Sequence, residues 1–99
     1  MVRGGYIYIM TNKRNTTFCI GVTSELKYRI WQHKNKTYSN SFTTRYNLVK
    51  QIYYESYPTI EEAIAKEKQL KRLHRAWKIN LITSVNPDFK DLYEDIKDL

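Results

Sequence analysis

Glu67 is the single acid in a basic stretch: residues 66–78 hold Lys66, Lys68, Lys71, Arg72, Arg75 and Lys78 around it. At about 100° per residue, Glu67 falls between Ala63 and Ile64 and close to Ile60, in the middle of a helix's apolar stripe. An ionised carboxylate there is costly unless something positive meets it. One solution is a divalent cation on the carboxylate, with the surrounding lysines and arginines as a phosphate-binding surface. The other is a partly buried ion pair with an arginine, or a helix turned so that Glu67 lies at its rim.

Arg29 and His33 stand four apart and share one helix face, beside Leu26 and Ile30. A guanidinium stabilises charge on a phosphate oxygen, and an imidazole orients a nucleophile or passes a proton. The same pair also suits an ordinary basic helix. Tyr6 and Tyr8 alternate along a β-favouring run and so point to one face, Ile7 and Ile9 to the other. Phe42, Arg45 and Tyr46 could stack on or clamp a nucleic acid strand, or close the end of the core.

These residues need elements to hold them. Tyr6–Met10 and Phe18–Val22 read as an antiparallel hairpin around a turn at residues 11–15. Thr23 or Ser24 can cap a helix with Glu25 in its first turn, running to about residues 34–36. Residues 37–47 read as a loop and 48–55 as a third strand. Pro58 and Thr59 open another helix, with Thr59 and Glu62 as a capping box, whose apolar positions (Ile60, Ala63, Ile64, Leu70, Trp77) run to about His74 or beyond. An amphipathic piece follows Asn86-Pro87. The expected fold is α+β, a small three-stranded antiparallel sheet flanked by helices in the order β-β-α-β-α-α. A single domain over 1–99 is expected, with its core at about 4–83 and an acidic helical segment at about 87–98.

The formal net charge is +7, and it is unevenly spread: residues 1–87 carry fifteen basic and five acidic side chains, while Asp88, Asp91, Glu94, Asp95 and Asp98 crowd the end. Such an imbalance suits a polyanion, of which nucleic acid is the commonest. One cysteine, Cys19, excludes an internal disulfide, and two histidines offer no zinc cluster. No run reaches the roughly 18 apolar residues of a membrane span, and the first residues lack a signal peptide's apolar stretch, so no membrane partner and a cytoplasmic location are expected.

Taken in order, Tyr6-Ile7-Tyr8, Cys19-Ile20-Gly21, Leu26-x-x-Arg29-x-x-x-His33 and Glu67 resemble the GIY-YIG nuclease domain. The resemblance extends over nearly the whole chain and is nearest to the small stand-alone members, through "YIYI-TN", "GVTS-L--RIW-HK", "EEAI--EKQLK" and "RAWKI-LI…NP". It implies hydrolysis of DNA phosphodiesters with Mg²⁺ or Mn²⁺. By position, Tyr8 matches the tyrosine of GIY, Gly21 the glycine of YIG, Arg29 the helix arginine, His33 a histidine found in some members, and Glu67 the metal-binding glutamate. Tyr6, Gly21, Arg45, Lys71 and Arg72 are the expected substrate contacts.

Three positions depart from the pattern. Tyr6 replaces the glycine of GIY, Cys19 replaces the second motif tyrosine, and Val22 stands where some relatives have a lysine. Asn80 corresponds to a late asparagine of some members, offset by about one residue. A thiol is shorter than a phenol by a ring, so Cys19 is expected to be a small, mostly buried strand residue. The expectation is an endonuclease of low or structure-directed specificity, acting on branched, nicked or single-stranded DNA and weakened by Cys19. The alternatives are a catalytically impaired nucleic-acid-binding module of the same fold and, in third place, a protein-interaction domain.

Overall fold

The computed structural model describes residues 4–35 and 46–97, except the side chains of His33, Lys34 and Lys97. The apolar run GYIYIMT forms strand β1 (Gly5–Thr11), and FCIGVT forms strand β2 (Phe18–Thr23). Asn12 organises the turn between them. Its Oδ1 accepts from the Thr16 N–H (2.8 Å) and its Nδ2 donates to Thr16 Oγ1 (2.7 Å). Strand β3 (Lys50–Tyr57) completes an antiparallel sheet of order β2-β1-β3.

β1 is therefore the central strand, covered on both faces, and a strand in that setting reads as a continuous apolar run. Ile7 and Ile9 pack with Ile20, Ile52, Ala63, Leu70 and Ile82 on one face. Tyr8 and Met10 pack with Leu26, Ile30, Leu48 and Ile96 on the other. The β1–β3 register shifts between Ile9, opposite Tyr53, and Met10, opposite Gln51. The buried Gln51 side chain bridges this irregularity, its Nε2 donating to the Ile9 and Tyr53 carbonyls at 3.2 and 3.1 Å.

Helix α1 (Leu26–Lys34) turns Leu26 and Ile30 onto the Tyr8 face. Glu25 precedes the helix rather than sitting in its first turn: its carbonyl accepts from the Arg29 N–H, and its own N–H donates to Thr23 Oγ1 (both 3.0 Å). Helix α2 (Ile60–Lys71) starts as the sequence predicts, with Thr59 as its cap and Oγ1 accepting from the Glu62 N–H (3.2 Å). Its approach to β1 is close enough that a β-carbon on Gly5 would lie 2.8 Å from the Ile60 Cδ1 atom.

The helix expected to continue past His74 instead breaks. The Arg72 and Leu73 N–H groups bond back to Gln69 and Leu70, tightening the last turn, and a new helix α3 (Arg75–Val85) begins. Trp77 does not extend the apolar face of α2 and is 62% exposed. The short helix α4 (Tyr93–Lys97) closes the Tyr8 face through Ile96. The architecture is the expected α+β one, with the segment after β3 divided into three helices. Among the described residues no helix is long and apolar enough to cross a membrane.

Two polar devices hold the periphery. Asn86 is buried; its Nδ2 donates to the Ile52 and Lys90 carbonyls (2.9 Å each) and its Oδ1 accepts from the Lys90 N–H (3.0 Å). Arg75 donates to the Thr16 carbonyl (2.8 Å) and lies 4.8 Å over the Phe18 ring, fixing the α2–α3 corner on the start of β2.

Candidate active site

Tyr8 lies in the middle of β1, opposite Gly21 of β2 and Tyr54 of β3. It is 5% exposed, and its ring lies so close over Gly21 that a β-carbon there would overlap the ring and the hydroxyl. No glycine in the described chain has a positive φ, so Gly21 serves this close approach and not an unusual backbone conformation.

Three other groups act electrostatically on the Tyr8 hydroxyl. Burial pushes its pKa from 10.0 up to about 12; the Arg29 guanidinium opposes that rise, while Cys19 and Glu67 add to it. Arg29 comes from α1 on the Tyr8 face, and Glu67 from α2, which packs against β1 and β2. A sheet is one backbone thick, so a carboxylate beside an edge strand stays within electrostatic reach of groups on its far side. Arg29 is half-buried and, among the described residues, makes no ion pair, which leaves its charge available to an anion.

Glu67 faces inward, as its place in the apolar stripe predicts: 13% of its side chain is exposed. Its ion-pair partner is a lysine and not an arginine, with Lys71 Nζ 3.0 Å from Oε1. The Glu-to-Lys spacing of four was visible in the sequence and favours this pairing.

Cys19 sits opposite Met10 on the Tyr8 face, half-buried. Burial pushes its thiol pKa up, Lys71 lowers it and Glu67 raises it, so Cys19 lies within electrostatic reach of both charges. The thiol stays protonated at neutral pH and makes a poor nucleophile.

Tyr6 lies on the same face and lines a shallow depression of about 190 Å³ with Ser24, Glu25, Leu26 and Lys27. An apolar depression of about 430 Å³, lined by Lys27, Tyr28, Trp31 and Tyr93, contains none of the expected site residues. Arg72 caps the end of α2 and is exposed. Asn80 is exposed on α3. Arg45, Phe42 and the side chain of His33 lie outside the described residues; the His33 backbone is one turn beyond Arg29 in α1.

The donor chemistry can be tested against a divalent cation. Among the described residues no group of three His, Cys, Asp or Glu side chains forms a closed cage. A single inward carboxylate, Glu67, fits a hard cation that keeps most of its waters, as Mg²⁺ and Mn²⁺ do. It does not fit a structural zinc site.

The ordered motif residues lie on β1, β2, α1 and α2, and residues 4–80 match the GIY-YIG catalytic domain. The chain belongs to the GIY-YIG family. A UPF0213 protein of Syntrophus aciditrophicus (strain SB) is 28% identical over 83 residues, covering 84% of this chain and 93% of that protein. A solution NMR structure of a UPF0213 protein from Bacillus halodurans shares the fold, with a TM-score of 0.57 at 23% identity over 89% of this chain and 92% of the other. This GIY-YIG domain is thus a small member of a nuclease-related family, with β-β-α-β order and helices on both faces of the sheet.

Proposed function

We propose that this GIY-YIG domain is an endonuclease that hydrolyses DNA phosphodiesters with Mg²⁺ or Mn²⁺, with low or structure-directed specificity for branched, nicked or single-stranded DNA. The observation that supports it is that Arg29 and Glu67, from two helices, both act electrostatically on the buried hydroxyl of Tyr8. Phosphate binding alone does not call for an inward carboxylate, which here is paired with Lys71.

In this reading Arg29 binds a non-bridging phosphate oxygen and offsets the charge that grows there in the transition state. Tyr8, held neutral by burial, hydrogen-bonds the attacking water and orients it. Lowering the phenol far enough to take a proton needs more positive charge than Arg29 supplies. His33, one turn further along α1, is the second candidate to accept the proton. Glu67 would hold the cation, which when bound polarises the phosphate and eases departure of the leaving oxygen. Tyr6, Gly21, Arg45, Lys71 and Arg72 would contact the strand.

The test is incubation with supercoiled, nicked, branched and single-stranded DNA in Mg²⁺ and Mn²⁺. Cleavage lost in Tyr8→Phe, Arg29→Ala and Glu67→Ala is the expected result. Cleavage that survives Glu67→Ala would refute the metal site.

Cys19 favours a second reading, a DNA-binding module with an impaired site. A protonated thiol stands beside Tyr8 where the family pattern has a second phenol. An inert natural protein whose Cys19→Tyr variant cuts would establish it.

A further inference from the structure

The Glu67–Lys71 pair is asymmetric. The carboxylate is largely withdrawn from water, with 13% of its side chain exposed, whereas the lysine reaches it from the rim with 57% exposed. Lys71 is the last residue of α2, and its ammonium lies 3.0 Å from Glu67 Oε1. The carboxylate thus already has the cation that its burial requires. A divalent ion taking the same oxygen has to displace that ammonium.

The displaced group stays on the spot. It sits on a flexible four-carbon stem at the end of α2, the helix that packs against β1 and β2, and Cys19 of β2 packs in the same cluster as Tyr8. A phosphodiester approaching Tyr8 and Arg29 brings the anion that a freed Lys71 lacks. This makes cation binding and DNA binding mutually reinforcing, since whatever favours one favours the other by the same factor.

We infer that Lys71 is a stand-in cation: it occupies Glu67 until a divalent ion takes the carboxylate, and the released ammonium then contacts the phosphate backbone of the bound strand. The inference rests on the proposed metal site at Glu67 and goes beyond it in coupling the metal to substrate affinity.

The first experiment measures Mn²⁺ binding without DNA, from the electron paramagnetic resonance amplitude of the free aquo ion. Lys71→Met and Lys71→Gln should bind Mn²⁺ roughly two- to fivefold tighter than the natural protein, the factor that an exposed ion pair is worth. Lys71→Arg, which grips a carboxylate with two donors, should bind it more weakly. The second experiment measures affinity for single-stranded and nicked DNA against salt, in a Tyr8→Phe background that prevents turnover. With Mn²⁺, Lys71→Met should lower the slope of log affinity against log salt by roughly one, the loss of one phosphate contact. Without Mn²⁺ the two slopes should coincide.

Equal Mn²⁺ affinity in Lys71→Met and the natural protein overturns the inference. It leaves the metal site standing as long as Glu67→Gln abolishes binding. A slope difference of the same size without Mn²⁺ also overturns it, because Lys71 would then be free already. Failure of both the natural protein and Lys71→Met to bind Mn²⁺ overturns the inference and the metal site together.

Discussion

The ring of Tyr8 lies across Gly21, its cross-strand partner, in the space that any side chain at position 21 would need. The constraint is steric, since Gly21 has an ordinary φ. Gly21→Ala should destabilise the fold by about 1–3 kcal/mol through overpacking. In a Tyr8→Ala background the same methyl should cost almost nothing. Urea unfolding of the four proteins measures the coupling; equal costs in both backgrounds would remove the ring as the cause.

Burial of Tyr8 has a consequence at high pH. Its pKa rises from 10.0 to about 12 in the folded chain. Below pH 10 both states hold the proton, and the contribution to stability is fully present. As pH rises from 10 through 12, the unfolded chain releases the proton while the folded one keeps it, so stability falls with pH. Tyr8→Phe should flatten that part of the fall and remove one late step from the phenolate absorbance titration. A Tyr8 step at pH 10 would show a solvated hydroxyl.

Arg29 and Glu67 should separate activity from stability. Arg29 makes no ion pair among the described residues, and the partner of Glu67 is a largely exposed lysine. Arg29→Ala and Glu67→Gln should therefore change unfolding free energy by less than about 1 kcal/mol. Cleavage should fall by about 10²–10³, the loss seen when a group that stabilises transition-state charge is removed. Thermal unfolding beside a cleavage time course reads both. A large fall in melting temperature would assign these residues to the scaffold.

Asn86 should behave in the opposite way. Its side chain serves the Ile52 carbonyl, the Lys90 carbonyl and the Lys90 N–H. Asn86→Ala leaves buried groups unpaired and should cost about 2–3 kcal/mol. DNA affinity at temperatures where the variant stays folded should be unchanged. A variant that unfolds normally but loses DNA binding would move Asn86 from the scaffold to the interface.

Local patterns in the sequence were enough to place most elements. Continuous β-favouring runs and turn chemistry marked the β1–β2 hairpin, and Thr59 with Glu62 marked the start of α2. The break at residues 72–74 carries no glycine or proline. It coincides with the docking of Arg75 on Thr16 and Phe18, a contact between distant parts of the chain that local periodicity does not register. β3 runs over 50–57 and not 48–55, because Gly5 pairs with Tyr57, while the Gln51 N–H bonds to the Asp91 side chain (3.1 Å). In the site, the inward Glu67 and the helix-borne Arg29 were legible from their spacing. The fit of Tyr8 over Gly21 was not, since it depends on the register between two strands.

The place of Tyr8 on the central strand also bears on how such a site can change over time. Both edges of β1 are hydrogen-bonded and both of its faces are covered, so its amides should exchange with solvent only on global unfolding. Arg29 and Lys71 are carried by helices packed on the outside of that sheet, Lys71 at the last residue of its helix. Substitutions on those helices can retune the grip on a strand one residue at a time. The phenol they surround stays fixed for as long as the protein is folded.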